Sequence, residues 1–257
     1  MSNAQHHKET LEGRGIKVHF AGIKAVDGID VAVERGQVMG LIGPNGAGKT
    51  TLLNALSGFE RPTAGAVYLG DTEITGKQPH IIARMGLVHT FQDIRIFGEL
   101  SVFENIELGA LGVGMRRAEA RALTWQLLTD SRLTNRAQAT ANELPHGEER
   151  RVGMLRAVAM QPRFLLLDEP AAGLNDAEAH ELVDFLDGLS QRFGFGLVVI
   201  EHNMQVIMRL CKWIKVIDYG RTIATGTPAE VQNDPVVQAA YLGTMAKEDT
   251  AGRRGDL

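Results

Sequence analysis

Length, composition and charge already exclude several classes of protein. The 257 residues can form one large domain, or a core with a small subdomain, around a substantial apolar interior. A formal net charge of -4 gives no basic excess of the kind that drives nucleic-acid binding, and the single cysteine, Cys211, excludes an intrachain disulfide. The sequence contains no apolar run near the roughly 20 residues that span a bilayer.

The first third of the chain contains short alternating segments that predict strands joined by tight turns. These segments are KVHF, AVDGIDVAV and QVMGLIG, the last ending at Gly43. A helix is predicted over Lys49–Ser57, with Gly58 as its stop. Residues 61–90 are again strand-like, with a polar helix candidate over Pro79–Arg84 between the two strand patterns.

The middle of the chain changes to helical periodicity before the strand pattern returns. Residues 93–160 contain three predicted helices, in LSVFENIELGAL, RRAEARALTWQLL and ERRVGMLRAVAM. After them come the strand RFLLLDE, a helix over 177–193, the buried strand GLVVIEH, a helix near 204–211 and the short runs WIKVID and RTIATG. Strands that alternate with helices predict an α/β fold with a mostly parallel sheet covered on both faces.

The segment GPNGAGKT fits the phosphate-binding pattern G-x-x-x-x-G-K-[ST], between a predicted strand and a predicted helix. Its glycines let backbone N–H groups and the helix N-terminus point at phosphate oxygens. Lys49 adds a positive charge for the β- and γ-phosphates, and the Thr50 hydroxyl can ligate Mg²⁺. The alternative is a glycine-rich turn with a chance lysine. The expected nucleotide-binding residues are Gly43, Pro44, Asn45, Gly46, Ala47, Gly48, Lys49, Thr50 and Thr51.

A second motif, FLLLDE, ends a fully apolar strand with two acidic residues. A carboxylate at the end of a buried strand is costly unless it meets a metal ion or another partner. Asp168 is therefore expected to hold Mg²⁺ through its water shell, and Glu169 to polarise the attacking water as a general base. Two surface acids at a strand end are the alternative.

Two further polar side chains follow predicted strands. Gln92 comes after GLVHTF, and His202 comes after LVVIE. Ligands of open α/β sheets bind outside the carboxyl ends of the strands, so both side chains can orient a γ-phosphate and sense its loss. A lone glutamine or histidine is otherwise more often structural. The expected catalytic residues are thus Lys49, Gln92, Glu169 and His202.

These motifs together resemble one family. A phosphate loop, Gln92, ELPHGEERR, LLLDEP, AAGLN and His202 follow one another as in the ATP-binding subunits of ABC transporters. The resemblance implies ATP and Mg²⁺ as ligands. It also implies two subunits that close head to tail around two ATP molecules and open after hydrolysis.

The same resemblance implies a division of the chain. Residues 14–245 would be a single ABC ATPase domain, a P-loop NTPase core with an antiparallel β subdomain and an inserted α-helical subdomain. The core and β subdomain would comprise 14–92 and 161–245, and the helical subdomain 93–160, with polar tails at 1–13 and 246–257.

Several residue roles are implied by position in the family pattern. Gln92 would ligate Mg²⁺ together with Thr50 and Asp168, and would face the membrane partner. His202 would contact the γ-phosphate. Phe20 lies where the family has an aromatic residue that stacks on adenine, the alternative being an ordinary core residue of a strand. The helical subdomain would dock a cytoplasmic helix of the permease.

The chain departs from the family in the signature loop, usually Leu-Ser-Gly-Gly-Gln, which contacts ATP held by a second subunit. Here the loop is LPHGE: Leu144 and Gly147 match, whereas Pro145, His146 and Glu148 differ. Proline has neither the serine hydroxyl nor a backbone N–H, so part of the contact is missing. We expect Gly147 and the helix dipole to carry most of it, with His146 able to donate a hydrogen bond.

Together with Asn175, where the family usually has aspartate, and with VQNDPVVQAAYLG, these departures resemble the longer ATPase subunit of branched-chain amino acid importers. That subgroup includes importers of urea and short amides. The implied partners are two transmembrane permease subunits, a second ATPase subunit or a second copy of this chain, and a solute-binding protein reached through the complex. No nucleic acid is expected, and the implied location is peripheral, on the cytoplasmic face of the inner membrane.

Three alternatives remain at the level of sequence. The ATPase of a lipopolysaccharide exporter has a similar arginine-containing helix after the signature loop. A soluble ABC-type ATPase acting on nucleic acid or ribosomes tends to have a coiled-coil insertion or tandem cassettes, and this chain has neither. A regulatory protein would bind ATP without turning it over.

Overall fold

A six-stranded sheet forms the centre of the molecule in the computed structural model, which describes residues 9–91 and 96–241. Its strands lie in the order β10-β9-β3-β8-β7-β6, and the run from β9 to β6 is parallel, with β10 antiparallel at one edge. The predicted α/β architecture is confirmed. The strands are β3 (Val38–Ile42), β6 (Leu87–Thr90), β7 (Phe164–Asp168), β8 (Gly196–Ile200), β9 (Trp213–Asp218) and β10 (Arg221–Gly226).

A second, antiparallel sheet has the order β2-β1-β4-β5. Its strands are β1 (Thr10–Phe20), β2 (Ile23–Glu34), β4 (Ala64–Leu69) and β5 (Thr72–Glu73). β1 begins at Thr10, seven residues before the predicted strand KVHF. The early part of β1 pairs on both sides, because Leu11 lies opposite Val33 of β2 and Leu69 of β4. Two glycines in TLEGRG interrupt the alternation of apolar and polar residues, so the sequence pattern does not predict this part of the strand.

Eight α-helices and one further helical segment accompany the two sheets in the described residues. The α-helices are α1 (Lys49–Ser57), α2 (Pro79–Arg84), α3 (Val102–Gly112), α4 (Arg117–Asp130), α5 (His146–Ala159), α6 (Asp176–Phe193), α7 (Met204–Leu210) and α8 (Pro228–Gln232). The further helical segment covers residues 235–241. The bounds predicted for α1 and α2 are confirmed, and α5 begins three residues earlier than the pattern ERRVGM indicates.

Apolar cores lie on both faces of the central sheet. In β7, Leu165 and Leu167 belong to the core that includes α3, α4, α5, α6 and α7, while Phe164 and Leu166 belong to the core that includes α1, α2 and the antiparallel sheet. Side chains of a strand alternate between faces, so a strand covered on both sides is apolar at every position. Because the strands from β9 to β6 run parallel, the polar residues that follow them lie at a single edge of the sheet.

The three helices that the sequence predicts between 93 and 160 are present as α3, α4 and α5. Gly109 of α3 is buried, and a Cβ there would overlap the backbone oxygen of Arg156 in α5. The absence of a side chain at Gly109 therefore sets how closely these two helices approach. Among the described helices, none combines the length and the apolar character that a bilayer span requires.

We expect Gly109→Ala to lower the free energy of unfolding by about 1–3 kcal/mol, because the added methyl group forces α3 away from α5. The matched control is Gly188→Ala in α6, where a Cβ would meet no atom within 4 Å. That change should raise the same free energy by about 0.5–1 kcal/mol, since alanine is the better helix former. Urea unfolding measures the free energy of unfolding of both variants. Equal changes in the same direction would contradict the close approach of α3 to α5.

Candidate nucleotide site

The phosphate loop connects the end of β3 at Ile42 to the start of α1 at Lys49. Its three glycines all have positive φ, with 153° at Gly43, 77° at Gly46 and 102° at Gly48. A Cβ at Gly43 would collide with the Ile217 carbonyl oxygen, and one at Gly48 with the Ala25 carbonyl oxygen. Only glycine fits at both positions, because the loop is pressed between neighbouring backbones.

The start of α1 suits an anion. Gly48 is the N-cap, no side chain caps the helix, and its first turn contains no acidic residue. The first N–H groups of a helix have no partner within the helix, and the helix dipole favours negative charge there. Of the other loop residues, Asn45 and Gly46 are exposed, whereas Ala47 is buried.

Lys49 folds back onto the loop that precedes it. Its Nζ donates hydrogen bonds to the Gly43 oxygen at 2.8 Å and the Pro44 oxygen at 3.0 Å. Burial lowers the pKa of Lys49, and the carboxylates of Glu169 and Asp168 oppose that shift. The ammonium group is thus held at the loop by backbone oxygens and by the field of two acids.

Asp168 and Thr50 meet where β7 ends. The Thr50 hydroxyl lies within reach of the carboxylate of Asp168, a residue that is only 8% exposed. Burial raises the pKa of Asp168, the Thr50 hydrogen bond opposes this, and Lys49 and His202 oppose it further. One carboxylate and one hydroxyl are donors that suit Mg²⁺ shared with phosphate oxygens. Within residues 9–91 and 96–241, no group of three or more histidine, cysteine, aspartate or glutamate side chains could hold a metal ion by itself.

Glu169 and His202 are in direct contact. His202 Nε2 lies 2.5 Å from Glu169 Oε1 and donates the proton, since a carboxylate only accepts. Glu169 has φ of 51°, a left-handed conformation that non-glycine residues rarely adopt, and its N–H donates to the Ile200 oxygen at 2.9 Å. The turn after β7 therefore aims this carboxylate at the histidine that follows β8.

A buried glutamate that sequence reasoning missed holds both of these turns. Glu201 is 3% exposed, and its Oε1 accepts from the Ala171 N–H at 2.5 Å. Its Oε2 accepts from the N–H groups of His202 at 3.0 Å and Asn203 at 3.3 Å. Burial raises the pKa of Glu201, and these backbone hydrogen bonds oppose the shift. The available signal was an acid directly after the all-apolar strand GLVVI.

Arg150 of α5 is a second buried charge that the sequence did not single out. It is 5% exposed, and its Nη1 donates to the Pro170 oxygen at 2.7 Å. Its Nη2 lies 3.2 Å from His146 Nε2. Burial lowers the pKa of Arg150, with the charge of Glu201 as the largest opposing influence.

The signature segment forms the start of α5. Pro145 is the N-cap, without a side-chain cap hydrogen bond, and Gly147 lies in the first turn. Glu148 pairs with Arg136 at 3.0 Å, so its charge next to the helix start is compensated. His146, expected to be able to donate a hydrogen bond to ATP, has both ring nitrogens engaged within its own chain, with Nδ1 at 3.4 Å from a Glu149 oxygen.

The remaining predicted residues lie at several places. Phe20 ends β1 with its side chain exposed, Leu144 packs against the larger core, and Thr51 is half-buried in α1. Asn175 is the N-cap of α6, where its side chain accepts from the Glu178 N–H at 3.0 Å. Gln92 lies outside the described residues.

The phosphate loop is also braced by segments near the end of the chain. The Gly220 N–H, in the turn between β9 and β10, donates to the Ala47 oxygen at 2.9 Å. Tyr241, in the helical segment 235–241, lies beside the Gly43 backbone, and burial raises the pKa of its phenol. Asp234 caps that segment by accepting from the Val236 N–H at 2.7 Å.

Two adjoining apolar grooves lie beside α2. One, of about 430 Å³, is lined by residues that include Phe59, His80, His89 and Met160. The other, of about 330 Å³, shares His80 and Met160 and extends over Leu108 of α3. Burial lowers the pKa of His89 to about 4, and no atom of the described residues bonds to its buried Nε2. We call the two together the α2 groove.

Comparison with known proteins identifies the family. The family model described as ABC transporter matches residues 26–172. The chain belongs to the ATP-binding cassettes of ABC transporters. A second model, described as branched-chain amino acid ATP-binding cassette transporter, matches residues 221–247 of this cassette. As a member of the family it is an ATPase.

The similar relatives are ATP-binding proteins of transporters. The cassette is 39% identical to the high-affinity branched-chain amino acid transport ATP-binding protein BraF of Pseudomonas aeruginosa, over 91% of this chain and 97% of that protein. It is 38% identical to LivG of Escherichia coli, a protein of the same description, with the same coverage. The lipopolysaccharide export system ATP-binding protein LptB of Acidithiobacillus ferridurans is 33% identical, over 91% of this chain and 97% of that protein.

Solved structures agree with this assignment. An ATP-binding cassette of an ABC transporter, MJ1267 in its ADP conformation, superposes with a TM-score of 0.83 at 29% identity, covering 91% of this chain and 99% of that one. A nucleotide-free cassette superposes with a TM-score of 0.81 at 29% identity, covering 91% and 98%. The fold predicted from sequence, a P-loop NTPase core of the ABC type, is confirmed.

We expect Glu201→Gln to lower the free energy of unfolding by about 1–3 kcal/mol, because the amide nitrogen cannot accept the backbone hydrogen bonds that both carboxylate oxygens now accept. The control is Glu181→Gln, at an exposed ion pair with Arg151, which should change stability by less than about 0.5 kcal/mol. Urea unfolding at pH 7.5 compares the two. Equal small effects would show that Glu201 does not hold these turns.

Proposed function

We propose that this cassette hydrolyses ATP by in-line attack of water on the γ-phosphate, with Glu169 as the general base. The observation that carries the proposal is the 2.5 Å contact between Glu169 and His202, which orients the carboxylate beside the Asp168–Thr50 pair and the phosphate loop. Lys49 and the free N–H groups at the start of α1 would bind the β- and γ-phosphates. His202 would contact two groups, the γ-phosphate and the Glu169 carboxylate.

The cation would be held at the end of β7. Thr50 and Asp168 supply a hydroxyl and a carboxylate there, and Gln92 is proposed as a further ligand from the sequence. Mg²⁺ bound there would neutralise the negative charge that develops on the phosphate oxygens. Phe20, exposed at the end of β1, is proposed to stack on the adenine ring.

ATP binding is proposed to close two subunits head to tail. In the closed dimer the first turn of α5 would face ATP held by the partner's phosphate loop. Pro145 cannot donate a hydrogen bond, and the His146 ring is engaged within its own chain. The Gly147 N–H and the α5 dipole would therefore carry most of the contact, assisted by Leu144 and Glu148 as parts of the same segment.

We infer that the transport task is import of branched-chain amino acids or related small solutes. The relatives named BraF and LivG support it, as does the family match of residues 221–247. The proposed partners are two transmembrane permease subunits, a second ATPase subunit or a second copy, and a solute-binding protein reached through the complex. The location would be peripheral, on the cytoplasmic face of the inner membrane.

The α2 groove is the surface proposed to receive a cytoplasmic helix of the permease. Its lining is mostly apolar and includes the exposed side chains of Phe59 and Leu108. The groove lies between α2 and the helices α3 and α5, which belong to the stretch predicted as the helical subdomain, 93–160. The division of the chain into 14–92, 93–160 and 161–245 stays a prediction.

We expect Glu169→Gln to reduce ATP hydrolysis by about 10²–10⁴-fold, because the amide cannot accept a proton from water. The variant should still bind ATP, since the phosphate loop is unchanged, and should accumulate as an ATP-bound dimer. Steady-state phosphate release and sedimentation with Mg-ATP measure the two effects. Glu181→Gln is the surface control. Hydrolysis that survives in Glu169→Gln would show that another group is the base, whereas no hydrolysis by the unchanged protein would support a protein that only binds ATP.

The importer assignment is tested by purification of the tagged cassette from its host's membranes in mild detergent. We expect two multi-spanning chains and a second ATPase to copurify. Leu108→Glu, in the α2 groove, should abolish copurification of the membrane chains and leave ATP hydrolysis intact. The control is Val236→Glu, at an exposed apolar residue elsewhere, which should leave copurification unchanged. Lipopolysaccharide-export chains would favour the exporter, and nucleic acid or ribosomal proteins from the soluble fraction would overturn the transporter assignment.

A further inference from the structure

Arg150 contacts two parts of the candidate site that would serve different ATP molecules in the proposed closed dimer. It lies in the second turn of α5 and is 5% exposed. One guanidinium nitrogen donates to the Pro170 oxygen at 2.7 Å, directly after Glu169, and the other lies 3.2 Å from His146 Nε2, in the signature segment. A single planar side chain thus touches the turn that bears the general base and the segment that would face the partner's ATP.

Three hydrogen bonds join the turn at 169–171 to two other segments, the end of β8 and the helix α5. The Glu169 N–H donates to Ile200 at the end of β8, the Ala171 N–H donates to Glu201, and the Pro170 oxygen accepts from Arg150. The charges of Glu201 and Arg150 attract each other across this turn. Arg150 is the only one of the three partners that belongs to α5, so a displacement of the turn would be transmitted to that helix through it.

The second contact of Arg150 sets the orientation of the His146 ring. A guanidinium group has donors only, so Nε2 of His146 accepts and the ring proton lies on Nδ1, towards Glu149. His146 is the first residue of α5, next to the N–H groups of Gly147 and Glu148. The ring contact therefore fixes the position of the His146 side chain at the start of the helix.

We propose that Arg150 is a positioning residue that couples the Glu169 turn of one ATP site to the signature segment that completes the other. The inference rests on the proposed closure of two subunits. Lysine cannot replace arginine here, because one ammonium group cannot reach two acceptors in the fixed directions that a guanidinium offers. The loss of one charge-assisted hydrogen bond should weaken the closed dimer about tenfold.

The experiment measures ATP-driven dimerisation in the Glu169→Gln background by sedimentation over a range of protein concentrations with Mg-ATP. Arg150→Lys should raise the dimer dissociation constant about tenfold and leave monomer affinity for a fluorescent ATP analogue unchanged, because the phosphate loop is untouched. The matched control is Arg209→Lys, at an exposed pair with Asp184, which should change neither value. If Arg150 has a purely structural role, Arg150→Lys should lower the melting temperature and should not weaken dimerisation more than it weakens binding of the ATP analogue.

A second set of variants tests the His146 contact and does not require the Arg150 variant to fold. His146→Ala should weaken the dimer several-fold, whereas His146→Gln should restore it, since the glutamine oxygen can accept from Arg150. In the Arg150→Lys protein, His146→Ala should have no further effect, because the coupling is already lost.

The outcomes separate the inference from the function on which it rests. Failure of the Glu169→Gln protein to dimerise with Mg-ATP would refute subunit closure itself, and the coupling with it. Normal dimerisation of Glu169→Gln with Arg150→Lys, additive effects of Arg150→Lys and His146→Ala, or no recovery with His146→Gln would overturn the role of Arg150 while leaving the ATPase assignment in place.

Discussion

The structure depends on two buried charges that hold the turn after β7. Glu201 and Arg150 lie on opposite sides of residues 169–171, each nearly inaccessible to water and each hydrogen-bonded to the backbone of that turn. A buried charge without a partner costs several kcal/mol, so each of these groups is tolerable only while the turn keeps its conformation. The left-handed conformation of Glu169 is stable for the same reason, since hydrogen bonds from the end of β8 and from α5 fix the backbone around it.

Much of the site could be predicted because its residues follow local rules. Spacing and flanking elements indicate the phosphate loop, and an apolar strand that ends in two acids indicates the pair Asp168 and Glu169. Arg150 was not predictable in this way, because in ERRVG it reads as part of a solvated helix face, and its partner, a backbone oxygen 20 residues later, carries no side-chain signal. Glu201 was missed for a similar reason, since it accepts its hydrogen bonds from the backbone N–H groups of Ala171, His202 and Asn203.

The fold shows the same limit. The alternating strands and amphipathic helices predict the order of the elements, whereas β1 begins earlier than its pattern indicates because it gains partners on both sides from β2 and β4. The expectation for His146 also depended on tertiary structure. A histidine at the start of a helix can donate a hydrogen bond, yet here a buried guanidinium group turns one ring nitrogen into an acceptor. The sequence shows which hydrogen bonds such a side chain can form, and its neighbours in the fold determine which of them it does form.

The contact between Tyr241 and Gly43 has a consequence for how this cassette can be altered. The helical segment 235–241 is joined to the first glycine of the phosphate loop, whose oxygen in turn accepts from Lys49. Shortening the chain before residue 241, or fusing another protein close to it, therefore disturbs the backbone that presents Lys49. A reporter fused before β1 avoids that contact. β1 itself ends at Phe20, the residue proposed to stack on adenine.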